Sequence, residues 1–168
     1  MPRVARRDAL SKRSEIAELQ MRRPIEEVRT DLDKLSPPDF DDLNAEAHGI
    51  ERLDQCCEEL KEYSTELAAP ILFSTMERLD GCDLGSPGPL VHTLESMSNY
   101  QCFLKESLIR KPTPLSVWMI NRIVNRTPSN TADWLSLLKR SSSHPAASAA
   151  TKRDSNHFLK LQMRGHAK

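Results

Sequence analysis

The sequence predicts an all-α protein, a compact array of about six short antiparallel helices, HEAT-like or an irregular bundle. Three observations carry that prediction. The apolar fraction is 38% but aromatics are only 5%, so the core is built mostly of Leu, Ile, Met and Ala, residues that suit helices better than sheets. Apolar residues recur at steps of three and four through residues 25–140, the helical period, and no alternating strand pattern interrupts them. Prolines and glycines punctuate the chain at intervals matching short helices.

Residues 1–24 read as a basic, flexible arm with a short apolar pattern at Leu10, Ile16, Leu19 and Met21, and Met21 is an alternative start. Ile25, Val28, Leu32 and Leu35 mark a short amphipathic helix, and Ser36-Pro37-Pro38-Asp39 breaks it. From Asp41 to about Glu62, Leu43, Ala47, Ile50, Leu53, Cys57 and Leu60 give one helix, or two if Gly49 splits it. Ser64-Thr65-Glu66 caps a helix with Leu67, Ile71, Leu72, Met76 and Leu79. Pro70 is expected in its first turn, where a missing N–H costs nothing, and Gly81 closes it in left-handed geometry.

Gly85-Ser86-Pro87-Gly88-Pro89 is expected to be non-helical. Leu90, Val91, Leu94 and Met97 follow, then Tyr100, Phe103, Leu104, Leu108 and Ile109, as one helix or as two divided at Ser98-Asn99. Thr113-Pro114 supplies an N-cap hydroxyl and a first-turn proline for the most apolar helix, which Thr127-Pro128 ends. Asn130 or Thr131 caps a last helix with Trp134, Leu135, Leu137 and Leu138. The helical domain is thus residues 25–140, and residues 141–168 read as a Ser/Ala-rich linker and a disordered basic tail.

The net charge is zero, yet the charges are segregated. Residues 26–66 hold 14 acidic and 4 basic side chains, whereas residues 110–168 hold 11 basic and 2 acidic ones. Such a distribution suits electrostatic steering of a charged partner. Cys56, Cys57, Cys82 and Cys102 form no C-x-x-C pair and have no His at ligand spacing, so they read as reduced thiols in a cytoplasmic protein. No secretory h-region and no membrane-length apolar run is present.

Two helix faces are candidates for partner binding. One is the acidic face carrying Glu51, Asp54, Glu58, Glu59 and Glu62. The other is Trp118, Asn121, Arg122 and Asn125, which share one face because they are spaced i, i+3, i+4 and i+7. A Trp beside an Arg and two amides has the composition of an interface anchor. The competing reading is that a helix or the chain's own tail covers that face and bonds its amides. No catalytic, cofactor-binding or metal-ligating pattern is found. His92 and Glu95 lie one turn apart without a nucleophile, Asp39, Asp41 and Asp42 lack calcium-loop spacing, and Ser86-Pro87-Gly88-Pro89 is too short of amides to cradle phosphate.

The segments Asp83–His92 and Pro112–Pro114 with Trp118–Arg122 resemble small all-helical bacterial proteins encoded beside polymorphic or contact-dependent toxins, which act as immunity partners. The resemblance spans about Leu67 to Thr127. It implies a non-catalytic inhibitor that binds a toxin domain, commonly a basic nuclease, in a one-to-one complex. The alternatives are a general helical scaffold or adaptor, and a nucleic-acid-associated protein using the basic termini. Nucleic acid is disfavoured because residues 36–140 carry 16 acidic and 10 basic side chains.

Overall fold

The computed structural model describes residues 22–41, 43–44 and 47–165. Among them lie eight α-helices, where the sequence predicts about six, and one 3-10 turn, with no strand; the excess comes from the break at Asn99 and from a helix in the tail. The helices are α1 (Ile25–Lys34), α2 (Gly49–Leu60), α3 (Thr65–Arg78), α4 (Gly88–Ser96), α5 (Tyr100–Arg110), α6 (Pro114–Asn125), α7 (Thr131–Ser141) and α8 (Ala149–Gly165). The basic arm and the alternative start at Met21 lie outside the described residues.

Each boundary has a local cause. Pro24 precedes α1, Glu26 and Glu27 sit in its positive first turn and Lys34 in its last. The C-terminal carbonyls of α1 are capped from another helix, because Arg78 of α3 donates to the carbonyls of Leu32 and Leu35. Pro37–Phe40 forms the 3-10 turn, and the Asp39 carboxylate accepts from both the Ser36 amide and hydroxyl at 2.8 Å.

Asp41, Leu43, Asn44, Ala47 and His48, the described residues of the segment before Gly49, lie outside any helix, contrary to the expectation of a helix starting at Asp41. The Asp41 carboxylate accepts from the Leu43 amide at 3.0 Å, a side-chain turn that competes with helix geometry, and Leu43 is 94% exposed. The helix starts at Gly49, where the 3-10 turn presses on it. A Cβ there would stand 2.3 Å from the Asp39 carbonyl oxygen. Gly49→Ala is therefore expected to cost about 1–3 kcal/mol by forcing the turn off α2, read as a lower urea midpoint.

Pro70 is the sixth residue of α3, not part of its first turn. It faces solvent, so water can satisfy the Glu66 carbonyl that loses its intrahelical donor. Gly81 has φ +101°, as expected of the chain reversal after α3. Gly88 and Pro89 are the first two residues of α4, so the segment expected to be non-helical reaches two residues into a helix, where a missing proline N–H is tolerated. Asn99 at φ 57° divides α4 from α5.

α6 opens with a reciprocal cap. The Thr113 hydroxyl accepts from the Ser116 amide at 3.2 Å, and the Ser116 hydroxyl accepts from the Thr113 amide at 2.8 Å. Both residues are buried, so Thr113→Ala is expected to cost about 1–2 kcal/mol, measurable by thermal melting.

The main departure from the sequence reading is the tail. Residues 149–165 form α8, which packs on α6 and α7. Its start is capped, since the Ser148 hydroxyl accepts from the Thr151 amide at 3.2 Å. Thr151 and Ser155 are fully buried on its inner face, with Phe158 and Leu159 partly buried against the core. The buried face is small and polar rather than apolar, and Ser155 satisfies its hydroxyl on the Thr151 carbonyl at 2.8 Å. One core runs through the molecule, from Val28 and Leu32 through Leu72, Phe73 and Leu104 to Ile120, Trp134 and Leu138.

Candidate binding faces

α2 buries Leu53, Cys56, Cys57 and Leu60 and turns Glu51, Asp54 and Glu58 to solvent. The helical period places these three acids at i, i+3 and i+7, a single ridge. Not every acid on the face is equally available. Glu59 is claimed by Arg23, which approaches at 3.1 Å and also bonds Asp31. Glu58 pairs with Lys61, and Glu62 lies 3.7 Å from Arg22. Glu51 and Asp54 have no ion pair among the described residues, and both are exposed.

A notch of about 420 Å³ adjoins the start of this ridge. Its wall includes Asp39, Asp41, Glu51 and Asp83 together with Phe40 and Ile50. Asp39 is held charged below the usual carboxylate range, chiefly by the Ser36 hydroxyl, then by its amide, with Arg52 at 2.9 Å adding attraction. A folded pKa below the unfolded one means this stabilisation is present above the ordinary carboxylate pKa and fades as pH falls through the lowered one. Unfolding of Asp39→Asn is therefore expected to depend less on pH in the acid range than that of the parent, checked by acid titration of circular dichroism. Asp41 and Asp83 spend their side chains on turns, accepting from the amides of Leu43 and Gly85 at 3.0 Å each.

The second face is largely used inside the fold. The Gln162 side-chain amide of α8 donates to the carbonyl oxygens of both Asn121 and Asn125 at 2.7 Å. The Arg122 guanidinium lies 4.8 Å from the Trp118 ring centre and bonds Glu95 at 2.9 Å. Trp118 is partly buried against the core. The chain's own C-terminal helix thus bonds both amides. Glu95 turns to Arg122 while His92 points to solvent, so the two do not form an acid–base pair.

Cys56 and Cys57 are buried and free, and burial pushes the Cys57 thiol up to about 12. Cys102 is exposed. Iodoacetamide near neutral pH is expected to label Cys102 in the native protein and Cys57 only after unfolding, as read by intact mass. Among the described residues no group of three or more His, Cys, Asp or Glu is arranged to hold a metal ion. No helix among them is long and apolar enough to cross a membrane.

The fold and its faces define a small all-helical protein with segregated surface charge. No family model matches the chain, and neither a curated protein nor a solved structure matches it.

Proposed function

We propose that the protein is a non-catalytic binding module of the immunity type, a cytoplasmic bacterial inhibitor that covers the active surface of a basic toxin domain. The observation that carries this reading is the exposed acidic ridge Glu51–Asp54–Glu58 continuing into the acidic notch. Acids outnumber bases by ten across residues 26–66, and Arg22 and Arg23 offset only part of that excess, at Glu62 and at Glu59 and Asp31. A ridge of this sign accelerates encounter with a basic surface and disfavours acidic competitors. The notch supplies a concave, partly apolar place for an Arg or Lys side chain, with Phe40 and Ile50 against its stem. Of the two faces, the acidic one is the stronger interface because α8 engages the amides of the other. The HEAT-like stacking of helix pairs belongs to the same proposal.

The test is capture from the native lysate with the full chain as bait, beside the Glu51→Lys/Asp54→Lys/Glu58→Lys variant. A basic protein retained one-to-one by the parent, lost by the variant and silenced by stoichiometric addition of the parent supports the proposal. A partner retained equally by both proteins contradicts it.

A further inference from the structure

The cations among the described residues fall into two populations. Every Lys and Arg from Arg22 to Arg122 has a carboxylate, a backbone carbonyl or an aromatic ring as partner inside the fold. Beyond Asn125 the pattern stops. Arg126, Lys139, Arg140, Lys152, Lys160 and Arg164 have no ion pair among the described residues, and Arg153 has only its neighbour Asp154 at 3.6 Å. Because α8 folds onto α6 and α7, these unneutralised charges are gathered on one C-terminal subassembly.

On α8 they are also aligned. The cations Arg153, Lys160 and Arg164 and the imidazole of His157 between them follow at steps of four, three and four, and all four are exposed. At 100° per residue they lie within about 60° of one another, a straight stripe along roughly 16 Å of helix. Asp154, the only acid of α8, projects about 100° away from the Arg153 direction. Exposed Asn156 borders the stripe with a further hydrogen-bonding side chain.

We propose that this stripe is a phosphate-binding surface for the backbone of a nucleic acid, recognised without regard to sequence. A linear row of cations complements an extended polyanion, and releasing its counterions supplies the binding free energy. A bilayer is the poorer match. α8 turns Thr151, Ser155, Phe158 and Leu159 inward, leaving Leu161 and Met163 exposed on opposite flanks of the stripe instead of forming one apolar face. The acidic residues that argue against nucleic acid are concentrated in residues 26–66, away in sequence from α6–α8. The proposal stands apart from the acidic-ridge interface, and each has its own variants.

The test uses the full chain and a labelled DNA duplex of about 20 base pairs, with single-stranded RNA of similar length alongside, read by fluorescence anisotropy from about 50 to 200 mM NaCl. Binding is expected at the low salt end and should weaken steeply as salt rises. Lys160→Glu/Arg164→Glu should weaken it at least about tenfold and flatten the salt slope by about two phosphates. Lys160→Gln/Arg164→Gln, which keeps helix propensity and removes charge only, should move the same way by less. Glu51→Lys/Asp54→Lys should not weaken it. Absence of binding at low salt overturns the proposal. So does binding that survives both α8 variants but falls with Arg6→Ala/Arg7→Ala, or tighter binding to phosphatidylserine vesicles than to either nucleic acid.

Discussion

Ending the chain after Ser143 is expected to destabilise the remaining protein by about 3–6 kcal/mol, the scale of two large side chains losing their cover. α8 brings Phe158 and Leu159 against the core and seals α6 and α7 with the fully buried Thr151 and Ser155. Its loss also leaves Asn121 and Asn125 without the Gln162 amide that bridges them. Against a total stability of roughly 5–15 kcal/mol, such a loss leaves a marginal or unfolded domain at room temperature. Urea unfolding of the full and shortened chains measures it directly. Equal midpoints would mean that the tail is an appendage and not part of the fold.

Trp134→Ala is expected to cost about 3–5 kcal/mol. Trp134 has no exposed surface and lies where α7 meets the central core. The Lys105 ammonium sits 5.0 Å from its ring centre, so truncation also frees a cation on α5. Trp118 offers the comparison within the same molecule. It is only partly buried, and Trp118→Ala is expected to cost about 1–2 kcal/mol, near half of a full burial. Chemical denaturation of the two variants should rank them in that order. A larger loss at Trp118 would mean that its face, capped by Arg122, contributes more to the fold than the core under α7.

The helices between Ile25 and Ser141 were legible in the sequence because their buried positions are filled by Leu, Ile, Val and Met at helical spacing. Thr113 and Gly81 were legible for a different reason, since a buried cap and a positive φ each demand a narrow set of residues. α8 was not legible. Its inner positions, Thr151, Ser155, Phe158, Leu159 and Gln162, have the right spacing, but two are small hydroxyls and one is an amide. A hydrophobicity pattern reads them as polar, whereas packing uses their size and local hydrogen bonds.

The start of α2 failed for the opposite reason. Leu43 and Ala47 have helical spacing, but Asp41 takes the backbone into a turn and Gly49 admits the preceding turn to the helix. The acidic ridge was visible in the sequence as charge. What could not be seen was which acids the fold neutralises, because Arg23 reaches Glu59 across 36 residues. For Asn121 and Asn125 the competing reading, cover by the chain's own tail, could be drawn from the sequence, but the partner could not, because Gln162 lies 41 and 37 residues away and bonds through its side chain.

Amide hydrogen exchange of the full chain, alone and with its captured partner, would locate the interface. New protection is expected in the segment from Pro37 to Leu60, covering the notch and the α2 ridge, with exchange in α6 and α8 unchanged. Protection confined to Trp118–Asn125, accompanied by faster exchange in α8, would contradict that expectation and assign the partner to the face that Gln162 occupies.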